Sequence, residues 1–218
     1  MTVTIPRRTF FAVAAAALLV AGGSAMAQRA DGPEQVDVNE LMKPGDLPDL
    51  VFGNADAPVT VVEYASMTCG HCGNFHNKVF PALKAKYIDT GKVRFVYRDF
   101  PFDNLAAAGA MLSRCVDADK SAPLISVLYE KQESWAFVRT NPVPELFKIA
   151  RQAGFTQESF DKCLTDQKLL DQILAVKDRG AKLFGVNSTP TFFVNGKRLR
   201  GAATVENFDA AIAAAGQS

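Results

Sequence analysis

The spacing of apolar and polar residues divides the chain into segments of different period. Val59-Thr60-Val61-Val62-Glu63-Tyr64 is almost wholly β-branched or aromatic and predicts a buried strand. Leu50-Val51-Phe52-Gly53 predicts a short strand before it, closed by a turn over Asn54-Ala55-Asp56-Ala57-Pro58. After Cys72 the period becomes helical. Phe75, Val79, Leu83 and Tyr87 recur on one face with Lys78, Lys84 and Lys86 between them, which predicts a long amphipathic helix. Pro81 removes a backbone donor inside it and predicts a kink. Gly91 ends this unit, and Lys92-Val93-Arg94-Phe95-Val96-Tyr97 reads as the next strand.

From Asn104 to about Gly185 the pattern is helical throughout, with segments expected over Leu105–Ala118, Leu124–Trp135, Glu145–Ala153, Glu158–Leu164 and Leu169–Leu183. The strand pattern then returns in Thr191-Phe192-Phe193-Val194, followed by a turn at Asn195-Gly196 and a second run over Arg198-Leu199-Arg200. Val205 to Ala215 closes the chain as an amphipathic helix. Strand–helix–strand, helices, then hairpin and helix is an α/β order, and its first unit calls for a right-handed crossover. Residues 47–103 and 184–218 are expected to form one α/β domain, with residues 104–183 as a helical insertion. Residues 28–46 are polar and are expected to form a loosely held N-terminal arm.

The first 27 residues change the picture of where the chain works. Arg7 and Arg8 precede an unbroken apolar run from Phe10 to Ala21, and Ala25-Met26-Ala27 is a small-residue cleavage signature. Residues 1–27 are therefore expected to be a signal peptide, with a mature chain from Gln28 in the periplasm. The run is shorter than the roughly 20 residues that span a bilayer. Arg7-Arg8 followed by Thr9-Phe10-Phe11 fits a twin-arginine route as well as ordinary secretion. Of 24 basic and 23 acidic side chains in the 218 residues, this segment removes two arginines and no acids. The remaining near-neutral balance gives no basic face, and no nucleic-acid partner is expected.

All four cysteines follow the signal segment. An even count in an exported protein is compatible with disulfides, but four are too few to be the scaffold of a chain this long. Cys69-Gly70-His71-Cys72 opens the predicted helix, so the first thiol meets unpaired backbone N–H groups and the positive end of the helix dipole. Both favour the thiolate, the form that attacks a disulfide. Cys69 is expected to be the exposed nucleophile and Cys72 the buried resolving thiol. The imidazole of His71 is placed to help by hydrogen bond or charge, or else is an inert surface group. The alternative of a zinc site needs four ligands, and the other candidates, Cys115, Cys163 and His76, lack the spacing; no metal or other cofactor is expected.

Three further features carry candidate chemistry. Glu63 interrupts an apolar strand six positions before Cys69; it is either a strand end facing solvent or a buried carboxyl able to take a proton from Cys72. Thr189-Pro190 precedes a strand expected beside the cysteine pair; a cis bond at Pro190 would leave the Thr189 backbone free to pair with an extended substrate. Cys115 and Cys163 form either a structural disulfide or two buried free thiols.

The strand Val59–Tyr64 leading to Cys69-Gly70-His71-Cys72, with Ser188-Thr189-Pro190-Thr191-Phe192 late in the chain, resembles the DsbA-like periplasmic thiol–disulfide oxidoreductases over roughly residues 47–216. The resemblance implies a thioredoxin fold with an inserted helical domain, a nucleophile at Cys69, a resolving thiol at Cys72, a buried acid at Glu63 and a cis proline at Pro190. It also makes Cys115 and Cys163 the second, structural disulfide of one subgroup. Two positions depart from the best-known oxidases, which carry Cys-Pro-His-Cys and a valine before the cis proline. Gly70 gives the dipeptide of eukaryotic disulfide isomerases, and Thr189 resembles bacterial isomerases. Those dimerise through an N-terminal domain, for which residues 28–46 are too short, so a monomer is expected.

The resulting expectation is an oxidase that gives its Cys69–Cys72 disulfide to exported cysteine-containing proteins and is recharged by a membrane redox partner. The alternatives are a monomeric isomerase or reductase, or a polypeptide-binding chaperone module with an idle redox pair.

Overall fold

The computed structural model describes Met1 and residues 32–217, so the expected signal segment and its cleavage site lie outside the described residues. Five strands form one mixed sheet: β1 (Leu50–Phe52), β2 (Val59–Ala65), β3 (Val93–Asp99), β4 (Thr191–Val194) and β5 (Lys197–Arg198), in the order β1-β3-β2-β4-β5. β2 and β3 are parallel, with Glu63 beside Tyr97, and the other neighbouring pairs are antiparallel. Asn195 and Gly196 both take positive φ (44° and 79°), which a two-residue hairpin between right-twisted strands demands. β5 ends at Arg198, two residues sooner than the sequence suggests. The Arg198 side chain turns inward and donates to the carbonyls of Pro33 and Phe184, and the Leu199 N–H still donates to the Phe192 carbonyl beyond the strand's end.

The long helix expected after Cys72 is broken, as Pro81 requires. It consists of α2 (Gly70–Lys78), a break at Val79, α3 (Phe80–Leu83) and a π-helical turn over Lys84–Ile88. Between β3 and β4 lie α4 (Asn104–Arg114), α5 (Ala118–Glu130), α6 (Gln132–Trp135), α7 (Val143–Gln152), α8 (Gln157–Leu164) and α9 (Gln167–Phe184). The segment expected as one helix over Leu124–Trp135 begins earlier, carries Pro123 in its interior, and breaks at Lys131. The break re-aims α6 so that Trp135 is fully buried with its indole N–H on the Leu128 carbonyl. α10 (Val205–Ala215) ends the chain, capped by the Thr204 hydroxyl, which accepts from the Asn207 N–H.

Alternation along β2 places the two faces of the sheet in different cores. Val61, Ala65, Phe95, Tyr97, Phe192 and Val194 pack with Cys72, Phe75 and the helices of the block. Val62, Tyr64, Val96 and Phe193 pack with Phe184 and Val186 and with Val36 and Leu41 of the N-terminal arm. Residues 32–46 are therefore held more firmly than their polarity suggests. The Val36 N–H donates to the Gly196 carbonyl, Gln35 bridges Lys197, and a short helix α1 (Val38–Met42) buries Leu41. Arg179 of α9 adds hydrogen bonds to the Glu40 and Lys43 carbonyls, and Arg198 and Arg200 to those of Pro33 and Gly32. Among the described residues, no helix is long and apolar enough to cross a membrane.

Candidate active site

Cys69 is the N-cap residue of α2, and its backbone carbonyl accepts from the Gly73 N–H to start the helix. That position leaves the first amides of α2 unpaired and directed at the Cys69 sulfur. Cys69 is partly exposed, while Cys72, one turn on, is 0 % exposed. The thiol of Cys69 donates to the Thr189 carbonyl at 3.3 Å, across 120 residues of sequence. The Thr189–Pro190 bond is cis, immediately before β4. Cys69, Cys72, Thr189 and Pro190 thus meet at one end of the sheet.

The two thiols are strongly unlike. A hydrogen bond from the Cys72 side chain is the largest influence on Cys69, followed among the stabilising contacts by the Thr189 side chain and the backbone N–H groups of Cys72 and His71. Against partial burial, they lower its pKa to about 5. The Thr189 hydroxyl is buried and has no partner beside the neutral thiol, which leaves its proton available to the thiolate. Cys72 is pushed well above the usual thiol range, first by burial, then by its hydrogen bond to Cys69 and by the negative charges of Glu63 and Cys69. In the reduced protein, alkylation of Cys69 by iodoacetamide is expected to follow a single ionisation with a midpoint near pH 5, with Cys72 unlabelled through pH 8. Mass spectrometry of the two peptides checks this, and a midpoint near the free-thiol value of about 8.5 would show that the helix start does not stabilise the thiolate.

His71 lies on the exposed side of the turn. Its backbone N–H supports the thiolate. Among the described residues its imidazole makes no hydrogen bond to Cys69.

Glu63 is on the Cys72 side of the sheet, 0 % exposed. Its Oε2 lies 2.9 Å from His76 Nε2, and its Oε1 is buried without a hydrogen-bond partner. The imidazole of His76 stacks on Tyr129 at 4.3 Å between ring centres, and the Tyr129 and Tyr97 hydroxyls bond to each other at 2.9 Å. His76 entered the sequence reading only as an unsuited metal ligand. Its position four residues after Cys72, on the same helix face, is the signal that could have found it. Gln132 is a second residue the sequence did not suggest. Its amide donates to the carbonyls of Met67 (2.8 Å) and Cys69 (3.0 Å), pinning the loop that enters α2, and Gly73 makes room for it, since a Cβ there would meet Gln132 Oε1 at 2.3 Å. Thr68 donates to Asp103, the N-cap of α4, and so ties the same loop to the helical block.

Cys115 and Cys163 are joined by a disulfide with Cα atoms 6.1 Å apart, linking the end of α4 to α8. Among the described residues, no group of three or more His, Cys, Asp or Glu side chains is arranged to hold a metal ion.

The family model described as Thioredoxin matches residues 46–214. A relative in Rickettsia typhi, carrying the provisional name protein-disulfide oxidoreductase, is 37% identical over 150 residues, covering 68% of this chain and 55% of its own length. The chain thus spans little more than half of that relative. The crystal structure of alpha-DsbA1 from Wolbachia pipientis is similar at a TM-score of 0.76 and 31% identity, covering 83% of this chain and 96% of that one. BdbD from Bacillus subtilis, in its oxidised form, is similar at a TM-score of 0.70 and 25% identity, covering 86% of this chain and all of that one. With the family match running from before β1 to within α10, and with DsbA proteins as its structural neighbours, the chain belongs to the thioredoxin family in its DsbA-like form.

Proposed function

We propose that the protein is a periplasmic thiol–disulfide oxidase that passes its Cys69–Cys72 disulfide to exported cysteine-containing proteins. The observation that carries this reading is the asymmetry of the pair: a partly exposed thiol whose pKa is lowered to about 5 beside a fully buried one pushed well up. A client thiolate attacks Cys69 Sγ, the Cys69–Cys72 bond breaks, and Cys72 leaves and takes up a proton. A second client thiol then attacks the client sulfur of the mixed disulfide, and Cys69 leaves as a stabilised thiolate. Stabilising that thiolate favours the dithiol and so makes the disulfide the stronger oxidant, by about 30 mV for each pKa unit below ambient pH.

In this reading Glu63 exchanges the proton of Cys72, since it is the buried carboxylate whose charge acts on that thiol. Thr189, with Pro190, presents its carbonyl beside Cys69 to an extended client segment. A membrane redox partner reoxidises the pair, and the protein works as a monomer.

The test is the reduction potential of the pair, measured by equilibration with glutathione and counting of alkylated thiols. A value near −120 mV supports the oxidase, and one of about −200 mV or lower replaces it with an isomerase or reductase. That second reading has its own support in Gly70 and in Thr189, whose buried hydroxyl stands beside Cys69.

A further inference from the structure

We propose that His76 is a positioning residue for proton transfer at Cys72, its imidazole N–H holding one oxygen of Glu63 so that the other is left to exchange a proton with the thiol. The inference rests on the reading of Glu63 as the proton acceptor, and adds a residue which that reading does not require.

Four observations carry it. First, the two side chains are almost wholly withdrawn from water, at 2 % and 0 % exposure, and meet through His76 Nε2 and Glu63 Oε2 at 2.9 Å. Second, Glu63 Oε1 is buried and makes no hydrogen bond. A buried carboxylate oxygen without a hydrogen-bond partner is costly to maintain, so Oε1 is an acceptor with no donor yet assigned to it. Third, the imidazole cannot swing away. It stacks flat on Tyr129 and packs its edges against Tyr97, Phe75 and Phe80. Fourth, Cys72 precedes His76 by one turn of α2, so thiol and imidazole share one side of the helix, and the charge of Glu63 on β2 acts on that thiol.

The other titratable groups around this cluster do not compete for the proton. Tyr97 faces it from β3 and Tyr129 from α5. Burial is the first reason that both phenols lie well above their ordinary range, and they are hydrogen-bonded to each other. Cys69 ionises far below Cys72 and is the other end of the redox pair. Asp99, also on β3, acts on Tyr97 but is paired with Arg114 and is not among the charges that act on the Cys72 thiol, whereas Glu63, from β2, is.

The step balances as follows. With a client joined to Cys69, the S–H bond of Cys72 breaks and an O–H bond forms at Glu63 Oε1. The electron pair left on Cys72 Sγ attacks Cys69 Sγ, and the bond to the client sulfur breaks, releasing the client as thiolate. Throughout, Nε2–H of His76 donates to Oε2, which accepts whether the carboxyl group is ionised or protonated at Oε1. In the oxidase direction the same proton returns from Oε1 to the departing Cys72. Without the imidazole, Oε2 would lose its donor, and the carboxyl group would be free to turn toward any other partner.

The experiment uses the reduced protein and 5,5′-dithiobis(2-nitrobenzoate), which releases one coloured thiolate as Cys69 attacks and a second as Cys72 resolves the adduct. Replacing His76 by Leu is expected to slow the second release at pH 7 by about tenfold to a hundredfold, as misplaced proton-transfer groups do, while the first stays within about twofold. H76Q, whose amide N–H can occupy the place of Nε2–H, is expected to keep most of the second rate. H76N, too short to reach Glu63, is expected to lose it, and stands in for H76L should that protein not fold. A normal second phase in H76L and H76N with a slow one in E63Q would overturn the role of His76 and leave Glu63 as acceptor. Normal second phases in all of them would remove Glu63 as well. An H76Q protein as slow as H76N would show that donation to Oε2 is not what matters, and would also overturn the proposal.

Discussion

A Cys72→Ser protein is expected to accumulate as a covalent adduct with its clients, whereas Cys69→Ser forms none and loses exchange activity to the uncatalysed background. The partly exposed Cys69, ionised at neutral pH by its position at the start of α2, still attacks a disulfide when Cys72 is gone. What disappears is the thiol that would release the adduct from within. Attack by a group already held in place can carry an effective molarity of about 10⁵ M or more, against millimolar thiols in solution, so the adduct should outlive its normal lifetime by at least about a thousandfold. In Cys69→Ser the remaining thiol is buried and its pKa well raised, so it is both unreachable and protonated. Non-reducing electrophoresis with mass spectrometry of the adducts separates the cases. Comparable adducts through Cys72 in the Cys69→Ser protein would reverse the assignment of nucleophile and resolving thiol.

Removing the second disulfide, by Cys115→Ala together with Cys163→Ala, is expected to lower the unfolding free energy by about 4 kcal/mol at 25 °C, from the entropy that a 48-residue cross-link takes from the unfolded chain. For a protein of this size that corresponds to a fall in Tm of roughly 10 °C. The bond spans most of the helical block, from the end of α4 to α8, and the loop it closes carries Trp135, Leu146 and Phe160, all buried. Reduced and oxidised forms should therefore differ little in fold but clearly in urea midpoint. A loss below about 1 kcal/mol would mean that this apolar packing restrains the unfolded chain almost as well as the covalent bond does. The two alanines should leave the iodoacetamide titration of Cys69 unchanged, since neither sulfur is among the groups that lower its pKa.

The strands and the cysteine pair were legible because their signals are local, whereas the thioredoxin fold came with the resemblance carried jointly by Cys69–Cys72 and the late Thr189-Pro190. Val59–Tyr64 is too rich in β-branched and aromatic residues to be anything but an inner strand, and Asn195-Gly196 carries its turn in two letters. Which way Glu63 points was not legible, because inner strands are apolar on both faces and give no alternation to read. Its side is set by the register of β2 against β3, which puts Glu63 opposite Tyr97 on the face that holds Cys72. The docking of residues 32–46 and the break at Lys131 escaped for a related reason. Both depend on contacts made far along the chain, Val36 with Gly196 and Gln132 with Met67 and Cys69, and a local window contains only one half of each.

The sheet that carries this chemistry ends in its two shortest strands, three residues in β1 and two in β5. An edge of that length offers an incoming chain few free backbone groups to pair with, and at β5 the bridge from Gln35 already occupies part of the row. A protein whose proposed clients arrive with their own strands unpaired meets an aggregation hazard at every encounter. Short, partly covered margins confine sheet extension, so that under the proposed function extended clients would be received beside Thr189 and Cys69 and not recruited along the outer strands.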